Sequence, residues 1–421
     1  MLPSHSPKNN QSDFQWKLTC SPRAKSTFNP IRNFVQNMSV KPNPEKTPIR
    51  LSVGDPTEFG NLPIPQQAVQ QLSENILSGK YNGYTLSFGS LEARKAIADY
   101  FSSSNYYPIQ PQDVLLTCGT AGAIELVLSA LGDEGKNVLV PKPGFPLFQT
   151  IANSLGMKTK AYHLKQEDNW QVDLADIVSQ IDHQTVAIIV NNPSNPCGSV
   201  YTKEHLQDIV NLAEKCKIPI IADEVYANMC FDGVPFYSVA SQSPHVPILS
   251  LGSISKLFAA PGWRLGWVIV HDRHDILRNA GIIQCLHQLT MRMLVPSSPI
   301  QSVIPILFSE QCRKEQLRIM EELQHNANTA YPLLESIPGL RCTKPQGAMY
   351  MFIHLDLNVL AFENDVEFTE TLWKEESVFV IPGSCFGWNG AVRIVLNAPS
   401  CVLTEACSRL QSFCERHSRH G

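Results

Sequence analysis

The sequence predicts an α/β protein: a large domain built on a mostly parallel sheet between helices, followed by a smaller α/β domain at the C-terminal end. Three observations carry this. At 421 residues the chain exceeds what one hydrophobic core usually serves, so a large domain and a smaller one are expected. From about residue 66, helix-like and strand-like segments alternate, the order that builds a parallel sheet with helices on both faces. After about residue 310 the pattern changes to long polar helices and shorter strands.

The elements follow in order. Residues 1–28 are polar and serine-rich, with Lys8, Lys17, Arg23 and Lys25 against the single acid Asp13, and read as a flexible arm. A mitochondrial presequence is the lesser alternative, because no clear amphipathic face is present. Pro42, Pro44 and Pro48 suggest an extended arm before Leu51, and residues 29–80 are assigned to a segment serving the small domain and the substrate site. Short apolar runs at 138–141, 185–190, 218–222, 247–251 and 265–270 are what strands buried on both faces look like. Between two of them, 202–216 reads as a helix opened by Thr202 as N-cap. These belong to a large domain at 81–310. A strand at 348–353, a helix at 365–375 and strands near Val378 and Val392 make up the small domain, 311–421.

Composition removes several function classes. A formal net charge of −4 offers no electrostatic footprint for nucleic acid. No run of about 18 apolar residues occurs, so a membrane-spanning helix is not expected. The 12 cysteines are scattered singly from Cys20 to Cys414 without C-x-x-C pairs, which predicts free thiols in a reducing compartment and no metal site. The triplets Asn10-Gln11-Ser12 and Asn37-Met38-Ser39 match the glycosylation sequon, but no apolar signal segment precedes them, and they read as chance matches. A soluble, cytoplasmic protein is expected.

The segment richest in chemistry is Ser253-Ile254-Ser255-Lys256, just after a buried strand, followed by Pro261-Gly262-Trp263-Arg264-Leu265-Gly266. A lysine on a short turn after a sheet strand can point into the crevice at the strands' carboxyl ends, where open α/β sheets bind ligands, and its amine could form a Schiff base there. A lysine taken alone is more often a solvated surface residue; the neighbours reverse that weighting. Ser253, Ser255 and Arg264 supply two hydroxyls and a guanidinium for a cofactor's phosphate dianion. Cys118-Gly119-Thr120-Ala121 lies between a strand and the helix it opens, where backbone N–H groups and the helix dipole hold phosphate. By itself such a turn is more often a plain helix start. Asp223, in Ala222-Asp223-Glu224-Val225-Tyr226, is the candidate to keep a pyridine nitrogen protonated, against the alternative of a capping or loop aspartate. Tyr226 and Asn195 could hydrogen-bond the ring oxygen of the same cofactor; otherwise Asn195, before Pro196, is a turn residue.

Asn191-Asn192-Pro193-Ser194-Asn195-Pro196-Cys197-Gly198, the Asp223–Tyr226 segment, and Ser255-Lys256 with Pro261 through Trp267 together resemble the class I aminotransferases of fold type I. The likeness extends through Phe28-Asn29-Pro30-Ile31-Arg32, Leu51 to Thr57, Lys80 to Tyr84, Pro143 to Pro146, Gly347 to Tyr350, Glu363 to Phe368 and Glu405 to Arg409, and so covers nearly all of the chain beyond about residue 28. The resemblance implies a seven-stranded, mostly parallel sheet, pyridoxal 5′-phosphate (PLP) carried by Lys256, and a homodimer. It implies that Phe145 stacks on the cofactor ring and that Tyr84 reaches the phosphate of the neighbouring subunit. It further implies that Arg393 clamps the substrate α-carboxylate, with Asn195 and the backbone at Gly54 helping. A planar guanidinium fork matches a carboxylate bidentately, although a lone strand arginine is more often a surface ion-pair partner.

Within the class, the likeness runs to members that take L-tyrosine as donor and 2-oxoglutarate as acceptor. One site must then take both a phenol ring and an acidic side chain. Arg292, beside the expected pocket loop 295–299, is the candidate cation, a helix-end arginine being the plainer reading. Two departures stand out. Cys118-Gly119-Thr120-Ala121 replaces a Ser-Gly-Cys-Ser pattern, losing one hydroxyl, and Leu257-Phe258 stand where vertebrate-like forms carry a basic and an aromatic residue. Rival expectations are a broad aromatic or alanine aminotransferase, a C–S lyase or an aminocyclopropane-carboxylate synthase on the same scaffold, and a catalytically silent binding protein.

Overall fold

Aliphatic and β-branched runs form the centre of the larger sheet because both of its faces are covered. The structure, a computed structural model, describes residues 16, 18–102, 107–231, 233–294 and 296–419. Most of the expected N-terminal arm, the triplet at Asn10 and Val295 of the expected pocket loop lie outside the described residues. The strands in chain order are β1 (Ile49–Arg50), β2 (Val114–Thr117), β3 (Asn137–Lys142), β4 (Lys158–Lys165), β5 (Gln171–Val172), β6 (Thr185–Asn191) and β7 (Ile220–Asp223). They continue with β8 (Ile248–Ser253), β9 (Gly266–His271), β10 (Leu340–Cys342), β11 (Tyr350–Leu355), β12 (Val378–Phe379), β13 (Ile381–Pro382) and β14 (Ala391–Val395).

The large sheet runs β2-β9-β8-β7-β6-β3-β4-β5. Its centre, β4-β3-β6-β7-β8, is parallel, whereas β9 runs antiparallel to both β8 and β2. Among the described residues this sheet has eight strands where seven were expected. The additional one is the two-residue β5, which folds back antiparallel to β4 after left-handed Asn169 and Trp170. A strand that short has no periodicity to reveal it. The apolar strands leave their mark on the core by alternation. Ile188, Val190, Ile220 and Ala222 pack into one cluster with Leu206, Ile209 and Val210 of the helix Lys203–Cys216. Ala187, Ile189, Ile221 and Leu249 pack on the opposite face with Ile124, Val127 and Leu128 of the helix Gly119–Leu131.

A smaller antiparallel sheet, β10-β11-β14-β13, lies against the helices Glu310–Glu335, Asp365–Glu376 and Ser400–Arg416. The N-terminal segment joins this body: β1 pairs with β12, and Val395 donates its N–H to the Leu51 carbonyl. Residues 52–54 are thereby laid beside β14. Within the expected arm, Pro22–Ser26 forms a short helix capped by Ser21 and tethered where the Ser26 hydroxyl donates to the Asn153 carbonyl at 3.0 Å. No helix of the described residues is long and apolar enough to cross a membrane.

The chain leaving β14 is pinned by one side chain of the longest helix. Asn326, fully buried, donates from Nδ2 to the carbonyls of Leu396 and Ala398, both at 2.7 Å. Removing that amide strands two buried carbonyls. Asn326→Ala is therefore expected to lower unfolding stability by about 2–4 kcal/mol, read from denaturant titration.

Candidate active site

Three strands of the large sheet end side by side on the residues that carry the chemistry. β6 ends on Asn191, β7 on Asp223 and β8 on Ser253. This is the carboxyl edge of the parallel strands, where open α/β sheets take their ligands. Ser253 caps the one-turn helix Ile254–Leu257, its hydroxyl accepting from the Ser255 N–H at 3.2 Å, and that turn projects Lys256 across the edge. The Lys256 amine donates to the Gly54 carbonyl, so the lysine and the N-terminal segment meet. Asn191 braces the neighbours: its Nδ2 donates to the Asp223 carbonyl at 3.1 Å, and its Oδ1 accepts from the Asn195 N–H at 2.9 Å.

Asp223 is buried, and burial pushes its carboxyl up to about 7 against the opposing pull of the Val225 N–H, at 3.3 Å, and the Lys256 charge. A carboxylate in such a place gains by meeting a cationic group. Tyr226, three residues on, is also buried, and its hydroxyl lies 2.7 Å from that of Tyr350 on β11.

A second group forms where β2 runs into the helix Gly119–Leu131. Gly119 sits at φ +68°, and a Cβ there would come within 2.5 Å of Arg264 Nη2, so glycine is required for the guanidinium to lie across the turn. Arg264 donates to the carbonyls of Pro261, at 2.8 Å, and Cys118, at 3.3 Å, and among the described residues no carboxylate pairs with it. The Thr120 hydroxyl is buried without a hydrogen-bond partner. A helix N-terminus, an unpaired guanidinium and an unmatched hydroxyl together suit a phosphate dianion. Cys118 takes the position before the helix but makes no side-chain cap, and Ala121 contributes only backbone.

The third group centres on Arg393 of β14, buried at 3% exposure. Its Nη1 donates to Asn195 Oδ1 at 3.0 Å and its Nη2 to the Ser52 carbonyl at 2.6 Å, while Nε has no partner. The rings of Tyr350 and Phe386 lie 4.4 and 4.8 Å from the guanidinium carbon. Burial pulls its pKa down, with Tyr350 and Tyr226 acting the other way. No described carboxylate neutralises it, so it is a buried cation prepared for an anion from outside.

The remaining candidates sit apart from these groups in the contacts they make. Phe145 packs edge-on against Phe148, with ring centroids 5.9 Å apart. Tyr84 is 95% exposed and borders a cavity of about 310 Å³ with Tyr81, Asn82, Ser297 and Ser298. Arg292 has its charge already answered by Glu125 at 3.0 Å. Sequence reasoning did not single out Asn191, Ser52, Tyr350 or Phe386 as site residues. Ser52 acts through its carbonyl, which carries no side-chain signal, and Tyr350 and Phe386 read as ordinary core aromatics.

A lysine and a buried aspartate at adjacent strand ends, an anion-suited turn and a buried arginine free of carboxylates lie within residues 46–410, which match the family model of aminotransferases class I and II. The chain belongs to that family, whose members use pyridoxal phosphate, and is an aminotransferase. It is 45% identical over 404 residues to tyrosine aminotransferase of Homo sapiens, covering 96% of this chain and 88% of that one. It is 42% identical over 416 residues to tyrosine aminotransferase of Dictyostelium discoideum, covering 98% and 100%. The crystal structure of tyrosine aminotransferase from Leishmania infantum matches with a TM-score of 0.91 at 33% identity, covering 96% of this chain and all of that one.

The raised Asp223 carboxyl has a measurable consequence in cofactor-free protein. Folding lifts its pKa from 3.8 to about 7, so its proton stabilises the fold fully below pH 3.8, and that contribution is lost as pH rises to about 7. Asp223→Asn is expected to abolish this decline, worth up to about 4 kcal/mol at roughly 1.4 kcal/mol per unit. Denaturation midpoints of stripped wild type and variant from pH 4 to 8 read it directly.

Proposed function

We propose that the enzyme transfers the amino group of L-tyrosine to 2-oxoglutarate with PLP carried at Lys256, giving 4-hydroxyphenylpyruvate and L-glutamate. The observation that carries this reading is the buried, carboxylate-free Arg393, sharing Asn195 with the strand ends that present Lys256 and Asp223. The relatives and solved structure that bear the name tyrosine aminotransferase support the choice of donor.

The residues fit the cofactor on three counts: the unmatched Thr120 hydroxyl, the Arg264 guanidinium with no carboxylate partner among the described residues, and the buried Asp223, whose carboxyl pKa burial holds up despite the Lys256 charge. When bound, PLP supplies an electrophilic carbon and a ring that takes up the electron pair released at the substrate Cα. Arg264, Ser253, Ser255, Thr120 and the backbone at 118–121 would hold its phosphate. Asp223 would face the ring nitrogen and keep it protonated, and Tyr226 and Asn195 would face the ring oxygen. Phe145 would cover the ring. Arg393, oriented by Asn195 and Ser52, binds the α-carboxylate, and its aromatic neighbours exclude water from that ion pair. The Lys256 amine, freed from Gly54, would take the Cα proton as general base and hold it for return as general acid.

Tyr84, an almost wholly exposed aromatic, suits a role completed by a second subunit, so the working form is a homodimer. The free cysteines suit the reducing cytoplasm. Arg292 would be available to an acidic acceptor only after release from Glu125.

In holoenzyme, L-tyrosine alone is expected to bleach the visible absorption band, and 2-oxoglutarate to restore it. A band that persists with tyrosine but bleaches with alanine would move the donor assignment elsewhere. Lys256→Ala is expected to lose turnover by at least about 10²–10⁴-fold. Arg393→Lys, which loses the fork but keeps the charge, should raise KM for both substrates by about 10–100-fold, as steady-state kinetics would report.

A further inference from the structure

We infer that Tyr350 is a positioning residue for this reaction: its ring supports the substrate-binding guanidinium of Arg393, and its hydroxyl sets the hydrogen bond that Tyr226 can offer. The inference rests on the proposed PLP site and names a residue that links its two halves. Tyr350 begins β11, two residues before Phe352, which pairs directly with Arg393 on β14. Tyr350 is therefore the diagonal neighbour of Arg393 on the same face of the small sheet, which places its ring 4.4 Å from the guanidinium carbon. The ring meets Tyr226 edge-on at 5.6 Å and 85°, and the two hydroxyls close to 2.7 Å. Tyr226 follows β7 of the large sheet, so this contact joins the two bodies at the point where substrate and cofactor meet.

The local sequence makes room for that contact. A Cβ on Gly54 would run into the Tyr350 hydroxyl, so only glycine at 54 allows the tyrosine in while its carbonyl receives Lys256. Both tyrosines are nearly solvent-free, at 2% and 3% exposure, so water does not replace either partner. In a pair of hydroxyls one donates and the other accepts. If Tyr226 spends its proton on the cofactor ring oxygen, Tyr350 must be the donor to Tyr226. A phenol that accepts a hydrogen bond becomes a stronger donor. Tyr350 thus strengthens the bond that Tyr226 makes and leaves the ring oxygen less basic.

The charged and titratable groups around Tyr226 are Tyr350 from β11, Asp223 from β7 and Arg393 from β14, with Lys256 facing Asp223. Tyr350→Phe changes none of the charges and keeps the ring over Arg393. Tyr350→Leu removes both ring and hydroxyl.

The experiment is an absorbance-monitored pH titration of holoenzyme, paired with calorimetric binding of 3-(4-hydroxyphenyl)propionate, a carboxylate without an amine to transfer. Tyr350→Phe should raise the pH midpoint of the visible band by about half a unit to one unit and lower kcat several-fold. Its Kd for the propionate should stay within about twofold of wild type. Tyr350→Leu should in addition weaken propionate binding by about three- to thirtyfold, through loss of the ring beneath the guanidinium. An unchanged midpoint in Tyr350→Phe, with wild type titrating normally, overturns the hydroxyl role. Wild-type propionate affinity in Tyr350→Leu overturns the ring role. A wild type with no visible band after PLP addition defeats the cofactor reading itself and the hydroxyl role with it, a result distinct from either of these.

Discussion

The buried charge of Arg393 is the constraint around which the site is organised. A guanidinium removed from water with no carboxylate partner is costly, and three separate parts of the chain share in tolerating it. β14 supplies the residue, the turn after β6 supplies Asn195, and the segment after β1 supplies the Ser52 carbonyl. Two aromatic rings occupy the remaining surface. These supports are partial, since Nε has no partner. A buried guanidinium fork left without a counter-ion is suited to a carboxylate.

The opposite wall is built on different physics. Parallel strands buried on both faces align their carboxyl ends, so Asn191, Asp223 and Ser253 arrive in a row without any long-range design of their own. Asp223 is kept out of water and close to neutral, Lys256 is delivered by a single helical turn, and Arg264 lies across the Gly119 turn. Electrostatics on this wall are therefore complementary to a ligand carrying a dianion at one end and a protonatable nitrogen at the other. The small sheet brings the buried Arg393, and Tyr226 with Tyr350 closes the contact between the walls.

Much of this was legible in the residues. The apolar runs that became β3, β6, β7, β8 and β9 were recognisable because strands covered on both faces have no polar alternation to blur them. β4 was harder, because Lys158–Lys165 lies near the edge and carries three lysines, and β5 was too short to leave any pattern. Lys256, Asp223, Tyr226, Arg264 and Asn195 announced themselves by residue type beside a strand end. Tyr350, Phe386 and Ser52 did not, since a core aromatic and a carbonyl oxygen look the same whether or not a cation rests on them.

By itself, then, the sequence determined the α/β class and which residue types stand at the strand ends, because local hydrophobic pattern and short motifs are properties of neighbours in the chain. Only the tertiary structure decided that Arg393 is buried without a counter-ion, that Arg292 is already paired with Glu125, and that Tyr350 touches both Arg393 and Tyr226. Those outcomes depend on segments far apart in the chain, by as much as 341 residues for Arg393 and Ser52, being packed together. Burial, charge partners and ring contacts come into being only when distant elements pack, so no local pattern encodes them.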